Sequence, residues 1–283
     1  VDSVISEDNI RLLIENIVIE GNKTTEPEII LREMETKPNE YTSVSILRRD
    51  MERLYNLGLF TKIDFIPVPS SDKGYSLIVS VEEGLYILPI PMGGLKDGDF
   101  NKLWLGMNVK WRNFRGRNET LGLAFGVFYD PFVNISYSIP WIGKKQHYFS
   151  SFSAGYSVNN NKSVVSVSNL PVNADSVKTY KTFNWNLQAS IGKFIFKEFS
   201  NSISVGFNGV STSDYVTGKT LSPDGEDKFV SFGYNFDYDT RDSYEYSLAG
   251  ASISGNYVKY GFGSVVNYNS AGLTIRKFIP IKL

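Results

Sequence analysis

The chain has 283 residues with 29 basic and 30 acidic side chains, which give a formal net charge of -1. This balance excludes the strongly basic surface that neutralises a phosphate backbone, so no nucleic-acid partner is expected. Cysteine is absent and His147 is the only histidine. Disulfide frameworks, thiolate metal sites and clusters of histidine ligands are therefore excluded, and we expect no cofactor and no enzyme.

Hydropathy argues against a membrane-spanning helix, because no run approaches about 18 consecutive apolar residues. Spanning β-strands need about 10 residues each and expose every second side chain to lipid, so they leave a weak hydropathy signal. The chain begins at Val1 without a signal peptide, and we therefore expect a mature or trimmed product.

The first region, residues 1–84, is predicted to be a compact α+β domain. The expected elements are a strand at 14–20, helices at 25–35 and 44–57, and strands at 61–68 and 75–81. Thr25 and Glu28 have the spacing of a capping box, and Pro27 suits the first turn of a helix. Strands on both sides of a helix pair can cover it with one small sheet. Residues 85–101, with Pro89 and Pro91, are predicted to be a linker.

The second region, residues 102–283, alternates apolar with small polar residues over about nine segments. These segments exceed the five or six residues typical of globular strands and match a tilted crossing of a bilayer. Aromatic residues such as Trp111, Tyr129 and Trp141 lie near the segment ends, as in interfacial belts. We therefore predict a transmembrane β-barrel. A soluble β-sandwich stays an alternative, since alternation alone fits both.

Several short motifs carry a family resemblance. Residues 1–84 resemble a POTRA domain, on Ile19-Glu20-Gly21-Asn22, on the run Leu54-Tyr55-Asn56-Leu57-Gly58-Leu59-Phe60 and on Val81-Glu82-Glu83-Gly84. The second region resembles the barrels of the BamA and two-partner-secretion superfamily. The segment Asn113-Phe114-Arg115-Gly116-Arg117-Asn118 is similar to the first hairpin turn of those barrels. Ser138-Ile139-Pro140-Trp141 is similar to the strand end that follows, and Asp239-Thr240-Arg241-Asp242 is similar to the strand-end motif of the family.

The resemblance implies a periplasmic α+β POTRA domain followed by an antiparallel β-barrel in the outer membrane of a Gram-negative bacterium. About nine strands are visible of the sixteen that the resemblance leads us to expect. We therefore expect a fragment, or a sheet that a partner completes. The implied function is insertion of outer-membrane proteins through a laterally opening barrel. Its partners would be outer-membrane lipid, unfolded or nascent polypeptides, and accessory lipoproteins or other subunits.

Two alternatives stay open. One is a secretion pore of the same superfamily that serves a dedicated partner protein. The other is a structural or adhesive barrel that uses the long connections at 159–178 and 213–228 as an exposed surface.

Three sets of residues are candidate functional positions. The first barrel strand, predicted at 102–113, is a candidate gate strand through Leu103, Leu105, Gly106, Met107 and Val109. The strand at 61–68 is a candidate edge for pairing with an unfolded client, through Thr61, Ile63 and Phe65, although Pro67 and Pro69 would discourage such pairing. Within the strand-end motif we interpret Asp239, Arg241 and Asp242 as paired polar residues rather than a catalytic cluster.

Overall fold

The computed structural model describes residues 11–71, 74–143, 147–164, 177–196, 198–213, 220–241, 247–263 and 265–280. The chain forms two compact units. The N-terminal unit comprises Val1–Ile87 together with Trp111–Thr120, and the sheet unit comprises Leu88–Lys110 with Leu121–Leu283.

The N-terminal unit is an α+β fold with a four-stranded sheet. Its elements are β1 (Arg11–Glu20), α1 (Pro27–Glu33), β2 (Glu40–Ser43), α2 (Val44–Asn56), β3 (Phe60–Pro69) and β4 (Gly74–Glu83). The strand order is β2-β1-β4-β3, in which β1 and β4 are parallel and the other pairs antiparallel. The core between sheet and helices is apolar, with Ile14, Ile30, Leu54, Leu77 and Val79 fully buried. The predicted α+β class is confirmed, and β2 is an additional strand.

The second helix begins and ends where the sequence predicts. Ser43 caps its start, because the Ser43 hydroxyl accepts a hydrogen bond from the amide of Ile46. Gly58 ends it with a positive φ of 63° and donates its amide to the carbonyl of Tyr55. The fully buried carboxylate of Asp50 on this helix accepts the amides of Glu35 and Thr36, at 2.6 and 3.0 Å, and so fixes the segment after α1.

The predicted capping box at the first helix is wrong. The N-cap residue of α1 is Glu26, with no side-chain capping bond, and the helix runs over Pro27–Glu33. Thr25 turns its hydroxyl towards Glu83 instead. A partner 58 residues away in the chain therefore outweighs the local capping partner Glu28.

The sheet unit is built on ten strands that follow one another in chain order. They are β5 (Ile87–Leu95), β6 (Leu103–Phe114), β7 (Glu119–Phe128), β8 (Phe132–Ile142), β9 (Tyr148–Val164), β10 (Val177–Phe196), β11 (Phe199–Thr212), β12 (Glu226–Asp239), β13 (Gly250–Tyr260) and β14 (Tyr268–Phe278). The predicted linker at 85–101 is wrong in one respect, since it contains strand β5 and two short 3-10 turns, Lys96–Gly98 and Phe100–Lys102. The sheet therefore begins one strand earlier than the sequence pattern indicates.

The two faces of this sheet differ as the alternation predicts. Directly paired residues on one face form an apolar row in which Ile191, Ile203, Tyr234 and Tyr257 are 49, 62, 44 and 48% exposed. The opposite face carries small and polar side chains, such as Asn186 paired with Asn208. An extended apolar face exposed over many strands is unusual for a protein surrounded by water. No helix in the described ranges is long and apolar enough to cross a membrane.

The connections differ in part from the prediction. Strand β9 continues to Val164 and β10 begins at Val177, so the predicted loop at 159–178 is shorter at both ends. Strand β12 begins at Glu226, within the predicted connection at 213–228. The centres of both connections, residues 165–176 and 214–219, lie outside the described residues.

Candidate functional site

The turn between β6 and β7 belongs to the N-terminal unit and packs against its α+β domain. Four residues of this turn have positive φ angles: Asn113 (52°), Arg115 (58°), Gly116 (73°) and Asn118 (57°). The carbonyl of Gly116 accepts the amide of Glu26 at 2.9 Å, and a Cβ on Gly116 would collide with the carbonyl oxygen of Thr24. The predicted hairpin turn is confirmed, and its close approach to the domain explains the glycine.

A partly buried hydrogen-bond cluster, centred on the buried side chains of Thr25 and Asn113, joins this turn to the domain. We call it the Thr25 hub, and it comprises Thr24, Thr25, Glu83, Tyr86 and Asn113. The Thr25 hydroxyl donates to Glu83 Oε1 at 2.6 Å and accepts from Asn113 Nδ2 at 2.9 Å. The Tyr86 hydroxyl lies 3.0 Å from the Thr25 hydroxyl and also hydrogen-bonds the Glu83 carboxylate. The Thr25 hydroxyl therefore contacts three side chains of the hub, those of Glu83, Tyr86 and Asn113.

Asn113 connects the hub to the turn itself. Its side chain is fully buried, and its Oδ1 atom accepts the amide of Asn118 at 2.8 Å while Nδ2 donates to Thr25. Asparagine tolerates the left-handed backbone better than most residues do. One side chain therefore closes the turn and attaches it to the domain.

Glu83 holds the hub as a carboxylate. Burial alone would raise the pKa of Glu83, but hydrogen bonds from the hydroxyl and amide of Thr25 and from the amide of Thr24 outweigh it and lower the pKa. Burial raises the pKa of the neighbouring Tyr86 hydroxyl. Glu83 is therefore charged and Tyr86 neutral at physiological pH.

Further polar contacts fix the two ends of the turn. Arg115 binds the almost fully buried Glu119 through two hydrogen bonds, Nε to Oε2 and Nη2 to Oε1, each 2.9 Å long. Arg112 donates from Nη2 to the carbonyl of Leu57 at 3.2 Å. Bidentate arginine–carboxylate pairs are geometrically specific. The orientation of the hairpin end is thus set by directional contacts.

The candidate client-pairing strand β3 lies at an edge of its sheet, as predicted. Two of its three candidate side chains contact the core, since Ile63 is 3% exposed and Phe65 packs against the core, while Thr61 is exposed. The amide of Ile63 donates to the Tyr55 hydroxyl at 3.1 Å, so one main-chain donor of this edge is already used.

The candidate gate strand is not at the edge of its sheet. Leu103, Leu105, Gly106, Met107 and Val109 lie on β6, and β6 has neighbours on both sides, β5 and β7. A Cβ on Gly106 would collide with the carbonyl oxygen of Phe125 on β7, so this glycine permits close strand pairing rather than weakening a free edge. The outermost described strands of this sheet are β5 and β14. The first strand of the sheet was misassigned because the prolines and glycines of β5 have the composition of a linker.

The strand-end motif forms a local ion pair. Arg241 binds the Asp239 carboxylate through Nε, at 2.9 and 3.0 Å, and through its main-chain amide at 3.0 Å. Asp242 lies outside the described residues. Within the part of the chain that the structure describes, no three His, Asp or Glu side chains come together as a metal site. A structural pair fits this arrangement better than acid–base chemistry does.

Comparison with known proteins identifies the N-terminal domain. Residues 12–84 match the family model described as POTRA: surface antigen variable number repeat. The chain contains a POTRA domain. The docked turn after β6 therefore contacts a POTRA domain, and the Thr25 hub includes its last strand, β4, through Glu83.

Solved structures match nearly the whole chain in fold. BamA from Haemophilus ducreyi lacking POTRA domains 1-3 matches with a TM-score of 0.62 and 17% identity, covering 96% of this chain and 52% of that one. CdiB from Acinetobacter baumannii gives a TM-score of 0.50 at 14% identity and covers 93% of this chain and 48% of that one. CdiB from Escherichia coli gives a TM-score of 0.55 at 10% identity and covers 88% of this chain and 45% of that one. The fold is thus a POTRA domain followed by strands of a BamA-type barrel.

Two plant proteins match by sequence. Outer envelope protein 80, chloroplastic, from Arabidopsis thaliana is 30% identical over 125 residues, which cover 42% of this chain and 17% of that protein. The protein of the same name from Oryza sativa is 27% identical over 130 residues, which cover 42% of this chain and 19% of that protein. The chain spans less than a fifth of the length of these curated relatives.

Proposed function

We propose that this chain is part of an outer-membrane machine that binds unfolded polypeptides with its POTRA domain and helps them insert into the membrane. The observation that carries the proposal is a POTRA domain that binds the β6–β7 turn within its own compact unit through the Thr25 hub, in a chain whose fold matches BamA. The reaction would need no cofactor, because strand exchange uses main-chain hydrogen bonds.

The exposed face of the sheet supports a position in the membrane. Its large apolar side chains, such as Phe207, Phe232 and Leu273, are each more than half exposed and lie on strands of one sheet. Burying such a surface in lipid is favourable by about 25 cal/mol per Å². The opposite, polar face would then line a wet interior. The POTRA domain would lie in the periplasm.

The secretion pore stays the second candidate, and the polar face favours it. Among the described side chains of β8–β11, that face presents amides and hydroxyls without a formal charge, on Asn134, Ser136, Ser153, Ser157, Asn184, Asn186, Gln188, Ser190, Ser204 and Asn208, and a charge follows on β12 with Asp237. Such groups both donate and accept hydrogen bonds. A polypeptide could slide past them without being held by charges of either sign.

A reconstitution experiment tests the leading proposal. A small unfolded outer-membrane protein is added to liposomes that contain the chain in the form in which it is natively produced. We expect the client to fold faster than in empty liposomes. Its folding is monitored by the resistance of the folded client to heat and protease. Unchanged folding, together with export of a soluble polypeptide into the liposomes, would support the pore instead. If neither process is accelerated, the proposed function is wrong.

A further inference from the structure

The charged residues on the apolar face of the larger sheet lie towards the ends of the strands. Residues that are direct partners across strands, or an even number of positions apart along one strand, share a face. By this rule the face that carries Ile191 and Tyr234 also carries, among the described side chains of β8–β14, five lysines and one glutamate. These residues are Lys181, Lys193, Lys228, Lys259, Lys277 and Glu226. The border of the apolar face is therefore positively charged.

The spacing of the lysines matches the thickness of a membrane. On β10, the stretch from Lys181 to Lys193 spans roughly 30 Å of height at about 3.3 Å per residue and a tilt of about 40°. Lys259 lies opposite Asn269, and the stretch from there to Lys277 on β14 spans roughly 20 Å by the same measure. The apolar band of a transmembrane β-barrel is about 25 Å tall, so these lysines lie at its two borders.

At one border, a row of paired residues places a free donor beside a lysine. Trp185 on β10 lies directly opposite Gly209 on β11, and Gly209 lies directly opposite Lys228 on β12. A Cβ on Gly209 would lie 2.1 Å from Trp185 Nε1, so the glycine makes room for the indole, which extends across β11 in the direction of Lys228. Within the described ranges no acceptor takes this indole N–H, whereas Trp141 donates its own to the carbonyl of Gly143 at 2.7 Å.

Lys228 also keeps donors available. Its ammonium binds the Glu226 carboxylate at 2.8 Å, and its side chain is 63% exposed. An ammonium has three donors, so two remain for an oxygen-rich ligand. An exposed ion pair of this kind is weak, so a phosphate can compete with Glu226 for the ammonium.

We propose that Trp185, Gly209 and Lys228, which we call the Lys228 site, bind the phosphate of an anionic membrane lipid. The indole N–H and the ammonium donate to its oxygens, and the acyl chains lie along the next row of the same face, which includes Leu187 and Phe207. Aromatic and basic side chains are typical of the interface between lipid and water. This inference rests on the proposed function, because it requires the apolar face to lie in a membrane.

Two other lysines of the border are held by neighbours within the chain. The Lys193 ammonium lies 5.2 Å from the centre of the Tyr148 ring, and the Lys259 ammonium donates to the side chain of Asn267. Neither lysine has a glycine or a tryptophan as its direct partner on an adjacent strand. The Lys228 site therefore combines an open position with two donors.

Native mass spectrometry of the full chain in detergent micelles tests the proposal. The micelles contain equal amounts of phosphatidylglycerol, which is anionic, and phosphatidylcholine, which is zwitterionic. We expect the chain to retain phosphatidylglycerol preferentially. Lys228→Gln and Trp185→Phe should each weaken this binding about fivefold, because one removes a charge and the other a hydrogen-bond donor from the phosphate. Equal retention of the two lipids by the unaltered chain would overturn the proposal.

Two further variants separate a specific site from general charge attraction. Lys23→Gln removes the same charge from an exposed position of the POTRA domain, and we expect a change of less than about twofold. Glu226→Gln removes the competing carboxylate and should strengthen binding about threefold. If Lys23→Gln weakens binding as much as Lys228→Gln does, or if Trp185→Phe leaves it unchanged, the Lys228 site is refuted.

The lipid site and the proposed function fail separately, because lipid retention is measured without a client. Normal client folding in liposomes by a chain that shows no lipid preference would refute the site alone. Retention that depends on Lys228 and Trp185, in a chain that neither folds nor exports a client, would refute the proposed function alone.

Discussion

Replacing Asn113 by alanine should release the β6–β7 turn from the POTRA domain. The change removes two hydrogen bonds, from the amide of Asn118 at 2.8 Å and to the Thr25 hydroxyl at 2.9 Å. Each contributes about 0.5–1.5 kcal/mol. Alanine at a φ of 52° adds about 1 kcal/mol of backbone strain. The total is about 3 kcal/mol, which corresponds to roughly a hundredfold increase in local opening.

Hydrogen exchange measured by mass spectrometry detects this opening directly. The relevant amides are those of Glu26, which donates to Gly116, and of Asn118. Asn113→Gly serves as a dissecting variant, because it loses the same bonds without the strain and should show a smaller effect. Glu15→Gln is the control, since Glu15 binds Ser70 and Ser71 elsewhere in the domain. Unchanged exchange at Glu26 in Asn113→Ala would refute the coupling.

Three other perturbations have defined outcomes. Because the pKa of Glu83 is lowered in the folded chain, its contribution to stability is present above its unfolded pKa, about 4.3, and is lost as pH falls through the lower folded pKa. The thermal midpoint of Glu83→Gln should therefore fall less steeply with pH below about pH 4 than that of the unaltered chain. Equal slopes for the two proteins would contradict this. Asp50→Ala leaves the buried amide of Thr36 and the partly buried amide of Glu35 without their acceptor and should destabilise the POTRA domain by about 3 kcal/mol, measured by chemical denaturation. Asp130→Asn removes the ion pair with Lys96 at 2.7 Å, and exchange in the β5–β6 turn should rise severalfold; no rise would show that the pair does not hold that turn.

Local sequence patterns predicted much of the POTRA domain. The predicted helix at 44–57 agrees with α2 to within one residue, because Leu47, Met51 and Leu54 recur at helical spacing and form one apolar stripe that packs on the core. The strand β2 was missed, since four residues are too short to show a period of two. Thr25 was wrongly predicted to cap α1, because its true partner, Glu83, lies on a strand that is distant in sequence and gives no local signal.

The sheet edge was harder to predict than the sheet itself. Alternation in β6–β14 reflects two different environments on the two faces, and it is visible in the sequence. In β5 the sequence Ile87–Leu95 contains Pro89 and Pro91, which normally indicate an interruption. These prolines are compatible with a strand because their nitrogen atoms point away from β6, as follows from alternation along β5 and the hydrogen bond between the Arg112 amide and the Tyr86 carbonyl. That orientation depends on the partner strand, which no local pattern reveals.

The coupling of the hairpin turn to the POTRA domain also lay beyond sequence reasoning. Motif resemblance located the turn at 113–118, and the structure adds that Asn113 and Glu119 are buried. Asparagine, glycine and charged residues are equally common in exposed turns, so the sequence gives no sign that these two side chains are buried. Their partners, Thr25 and Arg115, become evident through the fold.

Site-specific crosslinking during client insertion tests the central claim most directly. A photo-crosslinking residue replaces Thr61, the exposed candidate residue on edge strand β3 of the POTRA domain, or, as the control, Met107 on the interior strand β6. A client stalled during insertion should crosslink at position 61 and leave position 107 unmodified. Crosslinks at 107 without any at 61 would contradict the account, because the client would then engage the sheet without binding to the POTRA domain.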